Sequence, residues 1–557
     1  MKEQILKQLL DTIKGLDIPV PDEILNRITI TSPDAKLGDF ATNAALILAK
    51  VSGQKPADLA RMIVEKIDKS RFESVEVAGA GFINFRLKND ELIKELNPSP
   101  GASRHPLPQG ERENLKVLLE YFQPNIAKPL HIGHLETAII GDALKRLMLY
   151  TGVKVESDTH MGNWGTQFGY LILIYKKHER VDEKLYAQLN QAAEKDPSIH
   201  ESAKAEFAKL EQGDSDNRKI WEEIVQVSVK EFLKINDLLG VLPFDHHWPE
   251  SFYEDKMPAV LDALKGKGLL VGSQGAQIVN LENQGLGVAI IKKSDGSTTY
   301  LLRDLATFVF AKQQGFAKHL YVVDNRQSHH YHQLFAILKL MGEMQDEEGV
   351  HIDYGFISFK GQALSTRKGN MILAYDVIAE AEDKVGKIIQ EKNPDLPNKE
   401  QATKVVARGA LKYFILKHNR HSDIEFDWEE VLDFEGNSGP YLQYAYARLA
   451  SILRKERWEA GKGEGEFVVS PTEHELMLKI LALDDAITES LKDYLPNLLA
   501  NFLYELAGLI NKFYHESPVM KEQNLDLKNF RLMLIAKAKQ ALGTGLNLLG
   551  IESLEEM

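Results

Sequence analysis

Asn125-Ile126-Ala127-Lys128-Pro129-Leu130-His131-Ile132-Gly133-His134 decides how the rest of the chain is read. Before it, Lys116-Val117-Leu118-Leu119-Glu120-Tyr121 reads as a buried strand, and after it a helix begins around Gly133. The crevice between a strand and the helix it feeds is where α/β sheets bind nucleotides. Two histidines three apart at a helix start face the same way, and the free N–H groups and positive dipole end favour phosphate there. Gly133 leaves the backbone bare, so an adenine ring can lie against it. The same two histidines also read as a plain helix cap, and the decapeptide alone does not separate the two.

Outward from this stretch the chain divides. Ile5, Leu6, Leu9, Leu10, Ile13 and Leu16 fall at helical spacing, and Gly81-Phe82-Ile83-Asn84-Phe85-Arg86-Leu87 alternates like a strand. Pro98, Pro100, Gly101, Pro106, Pro108 and Gly110 mark a linker, which ends a first domain near Asn97. Short apolar runs at Leu320 to Val323 and Phe356 to Phe359 alternate with helical patterns, as in a parallel α/β sheet. From Tyr441 onward the pattern is helical throughout. The expected organisation is a small α+β domain at 1–97, an α/β Rossmann-type parallel-sheet domain with insertions at 98–440, and an all-α domain at 441–557.

The 557 residues carry 67 basic and 81 acidic side chains, a net charge of −14, which argues against nucleic-acid binding through global charge. No cysteine is present, so disulfides, thiolate nucleophiles and cysteine-held zinc are excluded. No uncharged apolar run approaches the about 20 residues needed to cross a bilayer. Met1-Lys2-Glu3-Gln4-Ile5 meets charge at once, unlike a signal peptide. A cytoplasmic protein is expected.

A second segment, Leu364-Ser365-Thr366-Arg367-Lys368-Gly369-Asn370, reads by itself as a solvated basic turn, and paired with the first as a cation-bearing loop suited to a triphosphate. Together the two segments resemble the HIGH and KMSKS signatures of class I aminoacyl-tRNA synthetases. His131-Ile132-Gly133-His134 matches the first letter for letter, whereas Ala363-Leu364-Ser365-Thr366-Arg367 departs from the second, with Thr366 at its second lysine. That departure is typical of arginyl-tRNA synthetases, which carry a lysine just before HIGH, where Lys128 stands. Gly38 to Asn43, Gly79 to Asn84, Gly162 to Gly169, Gly436 to Tyr444 and Leu548 to Ile551 resemble further blocks of that family along nearly the whole chain.

The resemblance implies arginine activation by ATP with magnesium, then transfer to the 2′-hydroxyl of the terminal adenosine of tRNA(Arg), with activation dependent on bound tRNA. It implies a monomer, while the absent cysteines and the lack of a long apolar run lead to the expectation of no zinc and no membrane association. Lys128, His131, His134, Arg367 and Lys368 would stabilise the transferring phosphates, and Gly133, Gln327, His330, Ser365 and Thr366 would line the ATP site. A guanidinium is planar and forked, so carboxylates should meet it. By resemblance Asp304 and Glu120 are those acids, Tyr300 packs or hydrogen-bonds beside the guanidinium, Asn125 holds the α-amino or carboxylate end, and Gln327 lines the amino-acid and adenosine pocket. The N-terminal domain would touch the tRNA elbow and the helical domain the anticodon.

Three departures from the family stand out. Glu136-Thr137 replaces Arg-Ser after HIGH-Leu, Phe122-Gln123 replaces small residues, and Asn163 replaces an aspartate. The helical domain holds 13 basic and 17 acidic residues, so tRNA must be gripped by local clusters such as Arg448, Arg454, Lys455 and Arg457 on one helix. Tyr444, Tyr446 and Trp458 are candidates for stacking on unpaired bases. A small-molecule nucleotidyltransferase shares the HxGH logic, and a tRNA-binding protein without activity is the non-enzymatic alternative.

Overall fold

The computed structural model describes residues 1–16, 18–97, 115–126, 128–181, 183–360, 372–458 and 467–557. The proline-rich linker and Ser365, Thr366, Arg367 and Lys368 lie outside them. The chain forms two compact units. One comprises Met1–Arg104, Arg448–Ala486 and Phe502–Gly543; the other comprises His105–Ala447, Ile487–Asn501 and Thr544–Met557.

The second unit is built on four parallel strands. In chain order β1 (Lys116–Glu120) feeds α1 (Ile132–Tyr150), which leads to β2 (Lys154–Asp158). After the inserted helices come α2 (Tyr300–Gln313), β3 (Lys318–Asp324), α3 (Ser328–Met341) and β4 (Gly349–Tyr354). The spatial order is β4-β3-β1-β2. The β1–β2 connection runs to one side of the sheet and the β3–β4 connection to the other, so a crevice opens above the carboxyl ends of β1 and β3, the usual ligand position in such sheets.

The near-continuous apolar runs of β1 and β3 follow from burial on both faces. Beneath α2 and α3 lies a core of Tyr253, Val260, Leu302, Leu305, Leu334 and Ile337. The insertion contributes the helices Gln167–His178, Glu183–Lys195, Pro197–Glu211 and Ser215–Leu239, then an antiparallel trio of strands, Val271–Ser273, Ala276–Asn280 and Val288–Lys292. One sequence expectation is corrected. The run at Phe356 to Phe359 is a strand over Ile357–Phe359, but it pairs with Ile424–Phe426 in a separate two-stranded sheet.

Helix α1 crosses close to the end of β1. A Cβ on Gly141 would lie 2.2 Å from the Tyr121 ring, which is fully buried. Alanine there would gain about 0.5–1 kcal/mol of helix propensity but overpack a rigid core by about 1–3 kcal/mol or more. Sterics win, so Gly141→Ala is expected to lower the melting temperature by several degrees; a melt at or above wild type would refute it.

In the first unit a four-stranded antiparallel sheet runs in the order Ile30–Thr31, Phe40–Thr42, Phe82–Leu87, Phe72–Ala78. Its alternating strands put Ile83, Phe85 and Leu87 into a core shared with Leu9, Leu48 and Ile63. His474, on the helix Pro471–Leu481, is seated between Asn89 and Asp39, whose Oδ2 also accepts the Leu87 N–H at 2.6 Å. The Arg448 guanidinium lies 3.8 Å from the Tyr514 ring centroid. Arg454 and Lys455 end the helix Gly439–Glu456, whereas Arg457 lies just past it in a left-handed conformation (φ 48°) rather than on the helix.

Candidate active site

His131 is the N-cap of α1, and its Nδ1 accepts the Gly133 N–H at 3.2 Å. His134 reaches back, and its Nδ1 accepts the His131 N–H at 3.1 Å. This reciprocal cap satisfies two N–H groups that a helix start leaves open. The cap does not exclude a ligand-binding role, because it uses only one nitrogen of each ring. With Nδ1 accepting in both rings, each carries its proton on Nε2, which leaves an N–H donor for a phosphate oxygen. The ring centroids are 4.1 Å apart.

Both rings are held neutral. Burial pushes the His134 pKa down to about 3, with the neighbouring His131 and Lys128 adding to the effect. The His131 pKa is lowered by burial first, then by the Arg326 and Lys128 charges, against an opposing pull from Asp324. Rings in this state offer oriented N–H dipoles rather than positive charge. Gly133 has a local reason to be glycine: its Cβ would lie 3.1 Å from the His131 ring.

Lys128 supplies an exposed cation next to this cap, and its charge is felt at both imidazoles. Its backbone N–H donates to the Asn125 carbonyl at 3.2 Å. On the other side, Leu373 bridges to His131, and Ala374 donates to the Leu130 carbonyl at 2.8 Å. The segment carrying Ser365 to Lys368 is thus followed directly by residues paired with the first signature.

Across the crevice lies an acidic pocket. In the sheet register Glu120 stands between Asp158 and Tyr321. The Glu120 side chain is buried, facing His319 Nε2 at 3.1 Å and accepting from Gln123 at 2.7 Å. His319 stacks on Tyr321 and meets its hydroxyl at 2.9 Å. Asp304, one turn into α2, has Oδ2 2.5 Å from His330 Nε2 and Oδ1 3.8 Å from His160 Nε2. Tyr300, one turn before it, is 58% exposed and packs on the His330 ring at 4.8 Å.

The structure brings Glu120, Tyr300, Asp304 and His330 into this one region. Asn125 bridges to Gly162, where a Cβ would lie 2.4 Å from the Asn125 Oδ1, so the glycine makes room for that amide. Gln327 is exposed at the end of the turn that opens α3. Sequence reasoning missed His160, Asp158 and Glu250, which complete the pocket floor. Their signal was weak: Asp158-Thr159-His160 merely precedes the Gly162 to Gly169 block.

The three departures have structural accounts. Glu136 is buried, and burial together with the Asp324 and Asp423 charges pushes its carboxyl well above the usual range. A carboxyl shifted toward its uncharged form repels a phosphate less. Phe122 takes a left-handed conformation (φ 57°) and packs against Phe232 and Phe244, while Gln123 turns to Glu120. The Asn163 amide donates to the Ser251 hydroxyl and accepts the Ser251 N–H, both at 2.9 Å. An aspartate could only accept at both atoms.

Comparison with known proteins places this geometry among relatives. Residues 103–428 match the family described as tRNA synthetases class I (R), catalytic domain. Residues 442–557 match the DALR anticodon binding domain, and residues 3–87 match the arginyl tRNA synthetase N terminal domain. An arginine–tRNA ligase from Clostridium botulinum is 37% identical over 555 residues, covering 96% of this chain and 97% of that protein. One from Clostridium acetobutylicum is 36% identical, covering 100% of each. Among solved structures, the arginyl-tRNA synthetase of Thermus thermophilus is 25% identical with a TM-score of 0.84, covering 100% of both chains. That of Plasmodium falciparum gives the same identity and TM-score, covering 100% of this chain and 99% of the other.

Proposed function

The chain belongs to the arginyl-tRNA synthetases, and from that premise we propose which of its side chains carry the two steps of the reaction. The enzyme activates L-arginine with ATP and joins it to tRNA(Arg), releasing AMP and pyrophosphate. The observation that carries the assignment of roles is the placing of a capped two-histidine helix start beside an acidic pocket, at the switch point of one parallel sheet.

In the first step the arginine carboxylate attacks the α-phosphorus in line and pyrophosphate leaves. Asp304 and Glu120 take the guanidinium, Tyr300 covers it, and Asn125 orients the reacting end. The Nε2–H groups of His131 and His134 meet the phosphate oxygens as charge develops, and Lys128 adds the positive charge that neutral imidazoles lack. Arg367 and Lys368 act on the same phosphates, while Gly133, Gln327, His330, Ser365 and Thr366 bound the nucleotide. Magnesium arrives with ATP and shares its charge; no protein ligand is assigned to it. In the second step the 2′-hydroxyl of the terminal adenosine attacks the activated carbonyl and AMP leaves. No side chain becomes covalent, so positioning and fixed charge do the catalysis.

We assign residues 1–97 to the tRNA elbow, 98–440 to catalysis and 441–557 to the anticodon, in a cytoplasmic monomer. Charging of total tRNA with radiolabelled amino acids tests the substrate: arginine alone should label tRNA, and only with ATP. Label from another amino acid would overturn it. Activation is expected to wait for tRNA, so ATP–pyrophosphate exchange should be near background without tRNA(Arg) and appear on its addition. Full exchange without tRNA would contradict this.

A further inference from the structure

His160 sits where an arginine pocket would least be expected to hold a histidine. It follows β2 in a left-handed conformation (φ 35°), which a side-chain-bearing residue adopts at a cost and which aims the ring into the pocket floor. The residue is 8% exposed, and acids face both ring nitrogens. Nε2 is 3.8 Å from Asp304 Oδ1, and Nδ1 is 4.0 Å from Asp158 Oδ2. Nδ1 and that Asp158 oxygen are both buried and, among the described residues, neither has a hydrogen-bond partner. Donor atoms of Glu120, Asp158 and His160 all lie within 4.8 Å of one another.

The charges around the ring come from every element that packs on it. Glu120 reaches it from β1, Asp158 from β2 and Glu250 from the turn Glu250–Tyr253. Tyr253 packs on the ring face at 5.4 Å. From α2, Asp304 faces it directly, while Arg303 offsets the charge of Glu250. His330 on α3 reaches it through Asp304. Acids outnumber cations at this floor. An empty pocket with such a surplus is unstable unless something positive, or a proton, occupies it.

We propose that His160 holds a proton in place of the guanidinium while the pocket is empty, and gives that proton up to solvent when arginine enters. The proposal rests on the assignment of Asp304 and Glu120 to the guanidinium. Arginine brings a permanent cation to the same Asp304 carboxylate, and an imidazolium on its other side then repels it. The free ring is poised for this, since the neighbouring acids, Glu120 foremost, raise its pKa above the usual value against the opposing effect of burial. Asp158 is the competing source of a proton, because burial raises its pKa to about 7. Either group loses a proton on arginine binding, so affinity rises with pH in both cases; which group loses it is the question.

Calorimetric titration of the full-length enzyme with arginine, in two buffers of different ionisation enthalpy, counts the protons. Wild type is expected to release a substantial fraction of one proton per arginine near neutral pH. Its arginine Kd should fall as pH rises through the free ring's pKa, by up to about tenfold per pH unit where one whole proton is lost. His160→Gln should release little and bind arginine with a flat pH profile, whereas Asp158→Asn should still release protons. Wild-type release that persists undiminished in His160→Gln, or no release in wild type, overturns the proposal. If His160→Gln binds no arginine, the ring is followed directly in wild type by NMR of 13C-labelled histidine. A His160 pKa that is the same with and without saturating arginine also overturns it. Asp304→Asn separates this from the underlying assignment: arginine binding undiminished in that variant refutes the pocket itself, whatever the proton count.

Discussion

Asp304→Asn should raise the KM for arginine by about two to three orders of magnitude while leaving the KM for ATP within a few-fold of wild type. Removing one partner of a desolvated charge pair costs about 2–5 kcal/mol, largely because the other charge stays buried and unpaired. Here that other charge is the guanidinium itself, which cannot lose its proton to escape the penalty. Asparagine keeps the shape and still offers an oxygen near His330, which stands 2.5 Å from Asp304 in the native pocket. The fold should therefore survive, and a melting temperature near wild type is part of the expectation. Lysine should not gain in compensation, since it brings the same charge without the planar fork that two carboxylates can hold. The measurement is ATP–pyrophosphate exchange in the presence of tRNA(Arg), titrated with arginine. A KM for arginine within about threefold of wild type, a shift worth less than about 1 kcal/mol, would remove Asp304 from the pocket.

What the sequence discloses of this site follows the range of the interactions. The helix start at His131 is legible because capping is local: the residues that satisfy each other lie within four positions, as the two Nδ1 acceptors show. The acidic pocket is only half legible. Tyr300 and Asp304 are one helical turn apart, but Glu120 meets Asp158 and Tyr321 solely through parallel register between strands far apart in the chain. His160 is drawn in by that register, and no spacing rule announces it. The separate pairing of Ile357–Phe359 with Ile424–Phe426 fails to show for the same reason, since an apolar run marks a strand and not its neighbour. Glu136 is the clearest case. Its residue type near the two-histidine helix start suggests repulsion, and only burial beside Asp324 and Asp423 reveals a carboxyl shifted toward its uncharged form.

The net charge of −14 bears on tRNA in a similar way. Arg448 spends its charge over the Tyr514 ring, and Lys455 and Arg457 are left exposed beyond it. Where such cations meet tRNA phosphates, affinity should fall with salt at a slope set by the number of phosphates they neutralise.

The neutrality of the two signature histidines places an unusual demand on Lys128. Lys128→Ala should lower kcat for adenylate formation by about two to three orders of magnitude, the size of effect seen when one preorganised transition-state donor is lost. The KM for arginine should change by no more than about threefold, because the role proposed for the lysine is toward the phosphates and not the amino acid. Neither imidazole can take over the charge. Each Nδ1 is occupied by a backbone N–H, and the His134 pKa near 3 keeps that ring uncharged throughout the working pH range. Removing Lys128 relieves one of the effects that depress both rings, yet burial remains the largest of them, so the rings stay neutral in the variant. Lys128→Arg keeps the cation at an exposed position with space for a longer head, and it should recover much of the lost rate. Pyrophosphate exchange at saturating arginine and tRNA separates kcat from KM for all three proteins. A Lys128→Ala enzyme with wild-type kcat would mean that the positive charge comes wholly from Arg367 and Lys368, and that the lysine before the first signature does not compensate for Thr366.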